Sequence, residues 1–407
     1  MRQAVSGFAQ QQLAGVEKLI SGCTTDAERF QKTKPIYEAA TGAGLIRGQI
    51  SKPLGGDATS NFSAAIVVEE FYAVDRTASL TIFGTGLGLT PLMMAGNGDQ
   101  HKKYLAPFLE TKGAPLASLV YTEPTGTANY RDVDGPGIQT TARLEGDEWV
   151  LNGEKMWATN CAGWDFKGAE LQCVLCKDVS VSKGSNASML LLVSRADIDA
   201  NKPGAFVVKR HLESAGHKAT SGPHVAFKDL RVPKSAILGS VGQGLDITEN
   251  AFTVSAAIVG AMSVGVMRRA FEVALAYAKK ETRGGGAKLI EHQSVADLLI
   301  GVKARVETSR LLTWKALSLI DTVGLEAARE TAFHAKVFCS DSAVQSVVDC
   351  ISAVGVSAYS TEMPLASLLN DAICLPIFDG GNVGVRRRQI QKLFLSEQYQ
   401  PWAASFA

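Results

Sequence analysis

Through residues 1–117 the apolar positions recur at helical spacing. Ala64, Ile66, Val67, Val68, Phe71 and Tyr72 follow a three-four repeat broken by Glu69 and Glu70, with no alternation between apolar and polar residues. From about residue 118 the texture changes. SLVYTEP, IQTTARL, EWVLNGEKMWAT, LQCVLCK, SMLLLVS, AFVVKR and HVAFKDLRVP are short runs of Val, Leu, Thr and aromatics separated by turn residues, the pattern of strands. Asn152-Gly153 reads as a two-residue hairpin turn, since both positions tolerate positive φ. The strand texture ends near Pro233, and after Gly244 the helical pattern returns. Residues 249–281 lack proline and lead to Arg283-Gly284-Gly285-Gly286, a helix stop. Val295, Leu299, Val302 and Val306 continue with the four-three spacing of a bundled helix, and two further helices are predicted near 325–354 and 385–397. The chain therefore reads as a multidomain α+β protein. An α-helical domain spans 1–117, a β domain 118–235 and a helical bundle 236–407.

Composition narrows this picture. With 407 residues, 46% apolar and 20% charged, and a net charge of +1, the chain exceeds one ordinary core. It gives no electrostatic reason to bind nucleic acid or an anionic membrane. No continuous apolar run reaches the roughly 18 residues of a membrane span. No signal peptide opens the chain, and no peroxisomal address closes it, so a cytoplasmic location is expected. The seven cysteines are scattered, as suits a reducing compartment. Cys173 and Cys176 form a CxxC without the second ligand pair that zinc requires. They are read as strand packing residues, and no metal is expected.

Some motifs are weaker than they look. Gly84, Gly86 and Gly88 in FGTGLGLTP do not have the spacing or the strand-to-helix setting of a dinucleotide fingerprint, and are read as close helix packing. Walker, HExxH and GxSxG motifs are absent from the sequence. Arg386-Arg387-Arg388 would ordinarily be a solvated helix face. Here it begins seven residues after Asp379, an acid in a glycine-rich turn.

Four segments resemble the acyl-CoA dehydrogenase superfamily in the right order. These are Tyr121-Thr122-Glu123-Pro124 with Thr127-Ala128-Asn129; Asn152 to Asn160; Arg283-Gly284 with His292-Gln293; and Pro376-Ile377-Phe378-Asp379-Gly380-Gly381-Asn382. The resemblance implies an N-terminal helical domain, a middle β-barrel-like domain and a C-terminal four-helix bundle, with FAD held where they meet. It implies flavin contacts from Leu119, Val120, Tyr121, Thr122, Thr127, Ala128, Asn129, Trp157, Ala158, Thr159, Gly380 and Gly381. Arg283, His292 and Gln293 would serve the cofactor too, with Arg283 at the pyrophosphate of a neighbouring subunit's FAD. A homotetramer, a dimer of dimers, follows from the same likeness.

Position 379 separates branches of this superfamily. The dehydrogenases carry a glutamate in a Tyr-Glu-Gly-Thr turn. Phe-Asp-Gly-Gly-Asn, the following VGVRRRQIQ, Trp164 to Gly168, Ala215 to His224, EHQSVADLLI and Pro401-Trp402-Ala403-Ala404 resemble instead an oxidase branch whose substrates are small neutral nitroalkanes. That likeness makes Asp379 the base, Arg386 its neighbouring cation and Ser255 a hydrogen-bond partner of the acid. Aldehyde or ketone, nitrite and, with O2 as acceptor, hydrogen peroxide would be the products. The chain departs from the branch at Leu375, where a tyrosine can stand, and from the wider superfamily at Ser352, where a glutamine is frequent. One alternative is an acyl-CoA dehydrogenase or oxidase using Asp379 on a thioester α-carbon. Another is a helical scaffold of this fold that binds FAD, or nothing, and acts through partners, a reading that purified protein without a flavin spectrum would favour.

Overall fold

The computed structural model describes residues 1–128, 130–132, 135–181 and 185–405. The first part is helical: α1 (Arg2–Gln12), α2 (Val16–Ile20), α3 (Asp26–Lys32), α4 (Lys34–Gly42), α5 (Asn61–Val74), α6 (Thr77–Ala95) and α7 (Gly98–Leu109). Local chemistry starts several of them. Ser60 accepts from the Ser63 N–H at the head of α5, and Thr25/Glu28 and Asn97/Gln100 form reciprocal capping boxes on α3 and α7.

The strands follow: β1 (Ala117–Val120), β2 (Thr141–Glu145), β3 (Glu148–Lys155), β4 (Leu171–Asp178), β5 (Ser188–Ser194), β6 (Phe206–Arg210), β7 (His224–Pro233) and β8 (Ile237–Leu238), with α8 (Arg195–Ala200) after β5. They form one mixed eight-stranded sheet in the order β6-β7-β3-β2-β4-β5-β8, with β1 joined to β4 in parallel. Asn152-Gly153 is not a hairpin turn. It lies inside β3, where the register with β7 shifts between Leu151 and Gly153. Gly153 takes φ 143° because a Cβ there would meet Thr140 within 2.7–2.9 Å, and the Asn152 side chain exchanges hydrogen bonds with Asp229. This is a bulge locked by a side chain. The β2–β3 hairpin instead turns at Gly146-Asp147, with Gly146 at φ 61°. Cys173 and Cys176 are buried on β4, and all seven cysteines are free.

The last part contains α9 (Gly244–Ala278), α10 (Gln293–Thr322), α11 (Leu325–Val354), α12 (Leu365–Ala372) and α13 (Arg387–Phe394). α9 stops at Ala278, short of the glycines, so Arg283 sits in a loop at φ 51°. A π-helical turn, Asn382–Arg386, precedes α13, which is shorter than the periodicity predicts. One core joins the N-terminal helices to the sheet. A second joins α9, α10 and α11 to α5, whose Val68 and Tyr72 are buried in it. Thr77–Ala95, Gly244–Ala278 and Leu325–Tyr359 are by mean hydropathy long and apolar enough to cross a membrane, which the search for continuous apolar runs does not detect. Their most apolar windows are 56%, 72% and 56% buried inside the protein, so their apolar character is that of helices surrounded by protein.

The glycines of α6 confirm the packing reading. A Cβ on Gly88 would lie 2.3 Å from the Ser118 N of β1, and one on Gly84 2.8 Å from the Thr159 side chain. α6 therefore carries β1 and the 156–160 loop at distances only glycine permits.

Candidate active site

Asp379 lies in the turn between α12 and α13, at φ 55°, followed by Gly380 at φ 74°. Its side chain is 3% exposed. Ser255, on α9, donates through Oγ to Asp379 Oδ1 at 2.7 Å. The other oxygen, Oδ2, is buried and has no hydrogen-bond partner among the described residues. Burial pushes this carboxyl up from its ordinary value, while Arg386, the Ser255 hydrogen bond and Lys336 pull it back. A carboxylate so placed is pre-formed but incompletely satisfied, with one oxygen available to take a proton.

Arg386 comes to the same point through the π-helical turn, a widening often found at functional sites. It is 1% exposed. Nε and Nη2 donate to the main-chain carbonyl of Asp379 at 3.1 and 2.7 Å, Nη2 also to Phe252 O at 3.2 Å, and Nη1 to Gln389 Oε1 at 2.9 Å. Nη2 stands 3.6 Å from Asp379 Oδ2. The guanidinium thus grips the backbone of the acid and faces its side chain as an unscreened charge. The basic triplet divides by role: Arg387 pairs with Asp341 and Arg388 with Asp132 at the surface. Gly380 leaves room for the clamp, since a Cβ there would lie 3.2 Å from the Arg386 guanidinium.

The candidate cofactor residues fall into two groups. Leu119 and Val120 end β1, buried, and Tyr121 and Thr122 follow half-buried. A buried ion pair fixes that exit: Lys155 Nζ donates to Tyr121 O and Glu123 Oε1, both at 3.0 Å, while Glu123 accepts from the Gln139 and Thr140 N–H groups. The Met156 N–H donates to Thr122 O at 2.8 Å and Ser118 Oγ to Thr159 O at 2.7 Å, so the two segments lie side by side. Between them Trp157, at φ 59°, is 54% exposed, while Ala158 is buried and Thr159 half-buried. The Tyr121 ring meets Phe252 of α9 edge-on at 5.1 Å, and Arg388 reaches Ala128 O at 3.0 Å. These contacts join the β1 loop to the Asp379 turn. Thr127 is half-buried in that loop, Gly381 follows Gly380, and Asn129 lies outside the described residues. The exposed Trp157 indole and the half-buried Thr122 and Thr159, carried on adjoining segments, form a donor set that fits a flat heteroaromatic ring with a polar edge, which is the chemistry of an isoalloxazine.

Arg283, His292 and Gln293 are not brought to this place. All three are exposed, and α9 separates them from Ser255 by roughly 35 Å at about 1.5 Å per residue. In this chain the Arg283 guanidinium donates to Val354 O at the end of α11, and Gln293 to Asp297. Among the described residues no group of three or more His, Cys, Asp or Glu is arranged to hold a metal.

Sequence reasoning missed three features. Lys336, from α11, is fully buried beneath the Asp379 turn. The Glu123–Lys155 pair fixes the β1 exit. His217, at φ 49°, is buried with neither ring nitrogen hydrogen-bonded among the described residues; its main-chain N–H donates to Asp371 Oδ1 and its ring lies 6.4 Å from Phe378. The available signal for Lys336 was a lone cation among small and apolar helix neighbours, Ala332, Phe333, Ala335, Cys339 and Ser340.

Comparisons with known proteins bear on the fold and the family. Residues 1–112 match the family model for the acyl-CoA dehydrogenase N-terminal domain, and residues 242–395 that for the C-terminal domain. Nitroalkane oxidase of Podospora anserina is 52% identical over 93% of this chain and 89% of its own. Its solved structure superposes with a TM-score of 0.97 over 100% of this chain and 97% of that one, at 49% identity. Nitroalkane oxidase of Fusarium oxysporum is 44% identical over 100% of this chain and 95% of its own. A solved nitroalkane oxidase active-site mutant crystallised with 1-nitrooctane aligns with a TM-score of 0.97 at 43% identity, covering 100% and 97%.

Proposed function

The chain belongs to the acyl-CoA dehydrogenase family, among its nitroalkane oxidases, and from that premise we propose that Asp379 starts the oxidation of small neutral nitroalkanes by removing an α-proton. The observation that carries this reading is the buried Asp379 carboxylate with one oxygen hydrogen-bonded and the other unpartnered. The balanced reaction takes a primary nitroalkane, O2 and water to an aldehyde, nitrous acid and hydrogen peroxide.

Burial raises the basicity of Asp379, and the Arg386 charge keeps it ionised before substrate arrives. Ser255 fixes Oδ1 and so turns Oδ2 toward the proton it receives. The Arg386 grip on the main-chain carbonyl holds the strained turn in place during transfer. Thr122 and Thr159 would hold the polar edge of the FAD ring, with Tyr121 and Trp157 at its faces. FAD, when bound, supplies the oxidising equivalent, accepting an electron pair from the deprotonated substrate and passing it to dioxygen. Closure of the site against water keeps the carboxylate effective as a base.

Arg283, His292 and Gln293 would serve the cofactor of a neighbouring subunit in a homotetramer. Their distance from Ser255 within one chain supports this, as do the exposed apolar residues Ile300, Leu311, Val356 and Tyr359 around the bundle. Seven cysteines without a disulfide support a reducing, cytoplasmic location.

The test mixes FAD-loaded protein with freshly diluted nitroethane in air and follows nitrite, peroxide and acetaldehyde. All three are expected together, with a rate reduced at least about 10²-fold in Asp379→Asn. Flavin bleaching by a medium-chain acyl-CoA without any nitrite would overturn the reading.

A further inference from the structure

Lys336 is 0% exposed. Its Nζ donates to Leu375 O at 2.7 Å and to Asn382 Oδ1 at 3.0 Å. Those two acceptors bracket residues 376–381, the turn that carries Asp379. Asn382 in turn donates to Ser340 Oγ and Asp341 Oδ1, both at 2.9 Å, on the helix that bears Lys336. One ammonium therefore ties both ends of the turn to α11. Two carbonyl-type acceptors could be met by any neutral donor, so hydrogen bonding alone does not account for burying a full charge, which is costly without a counter-charge.

The charged and titratable groups facing Lys336 are Asp379 and Cys374 from the turn, Arg386 from the π-helical turn, and Asp341 from α11 itself. Asp341 is committed elsewhere, accepting from Asn382 and Arg387. Asp379 is the carboxylate that keeps an oxygen unpartnered.

We propose that Lys336 is a positioning residue for Asp379, clamping both ends of its turn and supplying a positive charge that favours the ionised base. Arg386 grips the main-chain carbonyl of the acid and Lys336 ties the two ends of its turn, so two cations serve one base, and of these only the lysine can lose its proton. Burial pushes the Lys336 ammonium down to about 8, with Asp379 pulling it up and Arg386 pushing it further down. The proposal rests on the reading of Asp379 as base, and its test separates the two.

Lys336→Met removes both donor and charge, Lys336→Gln keeps a donor without the charge, and Lys336→Arg keeps the charge with altered geometry. In each holoenzyme two quantities are measured against pH. One is kcat/KM for neutral nitroethane. The other is the infrared band of the protonated carboxyl that Asp379→Asn removes. Without the charge, in Met and in Gln, the midpoint of both curves is expected to rise by about one pH unit or more, while Arg returns it toward the wild-type position at reduced kcat. Gln keeps a donor toward the turn, so it tests the charge even where Met does not fold. A lower rate with an unmoved midpoint in Gln would reduce Lys336 to a structural residue and overturn the proposal. A shifted infrared midpoint in a protein that makes no nitrite would uphold the charge coupling while the assignment of the reaction fails.

Discussion

Asp379 pays for its position in a conformation that most side chains avoid. At φ 55° it occupies left-handed space that aspartate tolerates better than longer or branched residues, and three partners fix what it does there. Ser255→Ala removes a 2.7 Å hydrogen bond to Oδ1. Such a bond to a charged group is worth about 1.5–3 kcal/mol, so kcat/KM for nitroethane should fall roughly 10- to 100-fold. Arg386→Lys should cost at least as much, because a single ammonium cannot reach Asp379 O, Phe252 O and Gln389 together. The sign of the pH effect follows. Both partners favour the charged acid, so removing the Ser255 hydrogen bond or the Arg386 charge raises its folded pKa, and the acid limb of kcat/KM should move to higher pH in Ser255→Ala and in Arg386→Gln, and less in Arg386→Lys, which keeps the charge. An unmoved limb would mean that neither residue acts on the carboxylate. Asp379, Arg386 and Ser255 were legible as candidates through the family resemblance, and the fold brings the three side chains together. Lys336 was not, because a single lysine in a helical run usually extends into water, and only the arrival of a distant turn above it creates its burial.

Among the elements, the helices were read nearly to their ends wherever apolar spacing and caps agreed, as in α11. Asn152-Gly153 was misread because the same dipeptide serves a hairpin or a bulge, and the choice was made by contacts with Thr140 and Asp229, far away in sequence. The glycine row of α6 was read correctly as packing, yet not for its purpose. Gly88→Ala would drive a methyl to 2.3 Å from the Ser118 N of β1, the strand that leads to Tyr121 and Thr122. A cost of about 1–3 kcal/mol is expected, seen as a lower Tm together with weaker flavin retention. Gly98→Ala, with nothing within 4 Å, is the matched control and should leave both unchanged. Equal effects from the two would refute the packing account.

For the whole molecule, order along the chain and domain texture were readable, whereas whatever depends on a second copy was not. Periodicity shows which face of a helix is apolar without saying what covers it. Val356 and Tyr359 are 79% and 89% exposed, next to the Gly355 backbone that the Arg283 guanidinium adjoins. Placing a charge there, in Val356→Glu, should lower the sedimentation mass below four chains and release flavin in parallel, if Arg283 serves a neighbour's cofactor. Loss of assembly with full flavin content would confine each cofactor site to one chain.

The unpaired cysteines bear on how such a catalyst survives its own product. The thiolate, not the thiol, attacks peroxide. Burial holds the thiols of Cys173, Cys176 and Cys350 up at about 12 and those of Cys339 and Cys374 at about 11, and raises Cys161 as well. At neutral pH these six positions therefore offer an oxidant almost no thiolate. The same close packing that builds the core keeps these six thiols protonated, and so slow to react with the reagent made beside them.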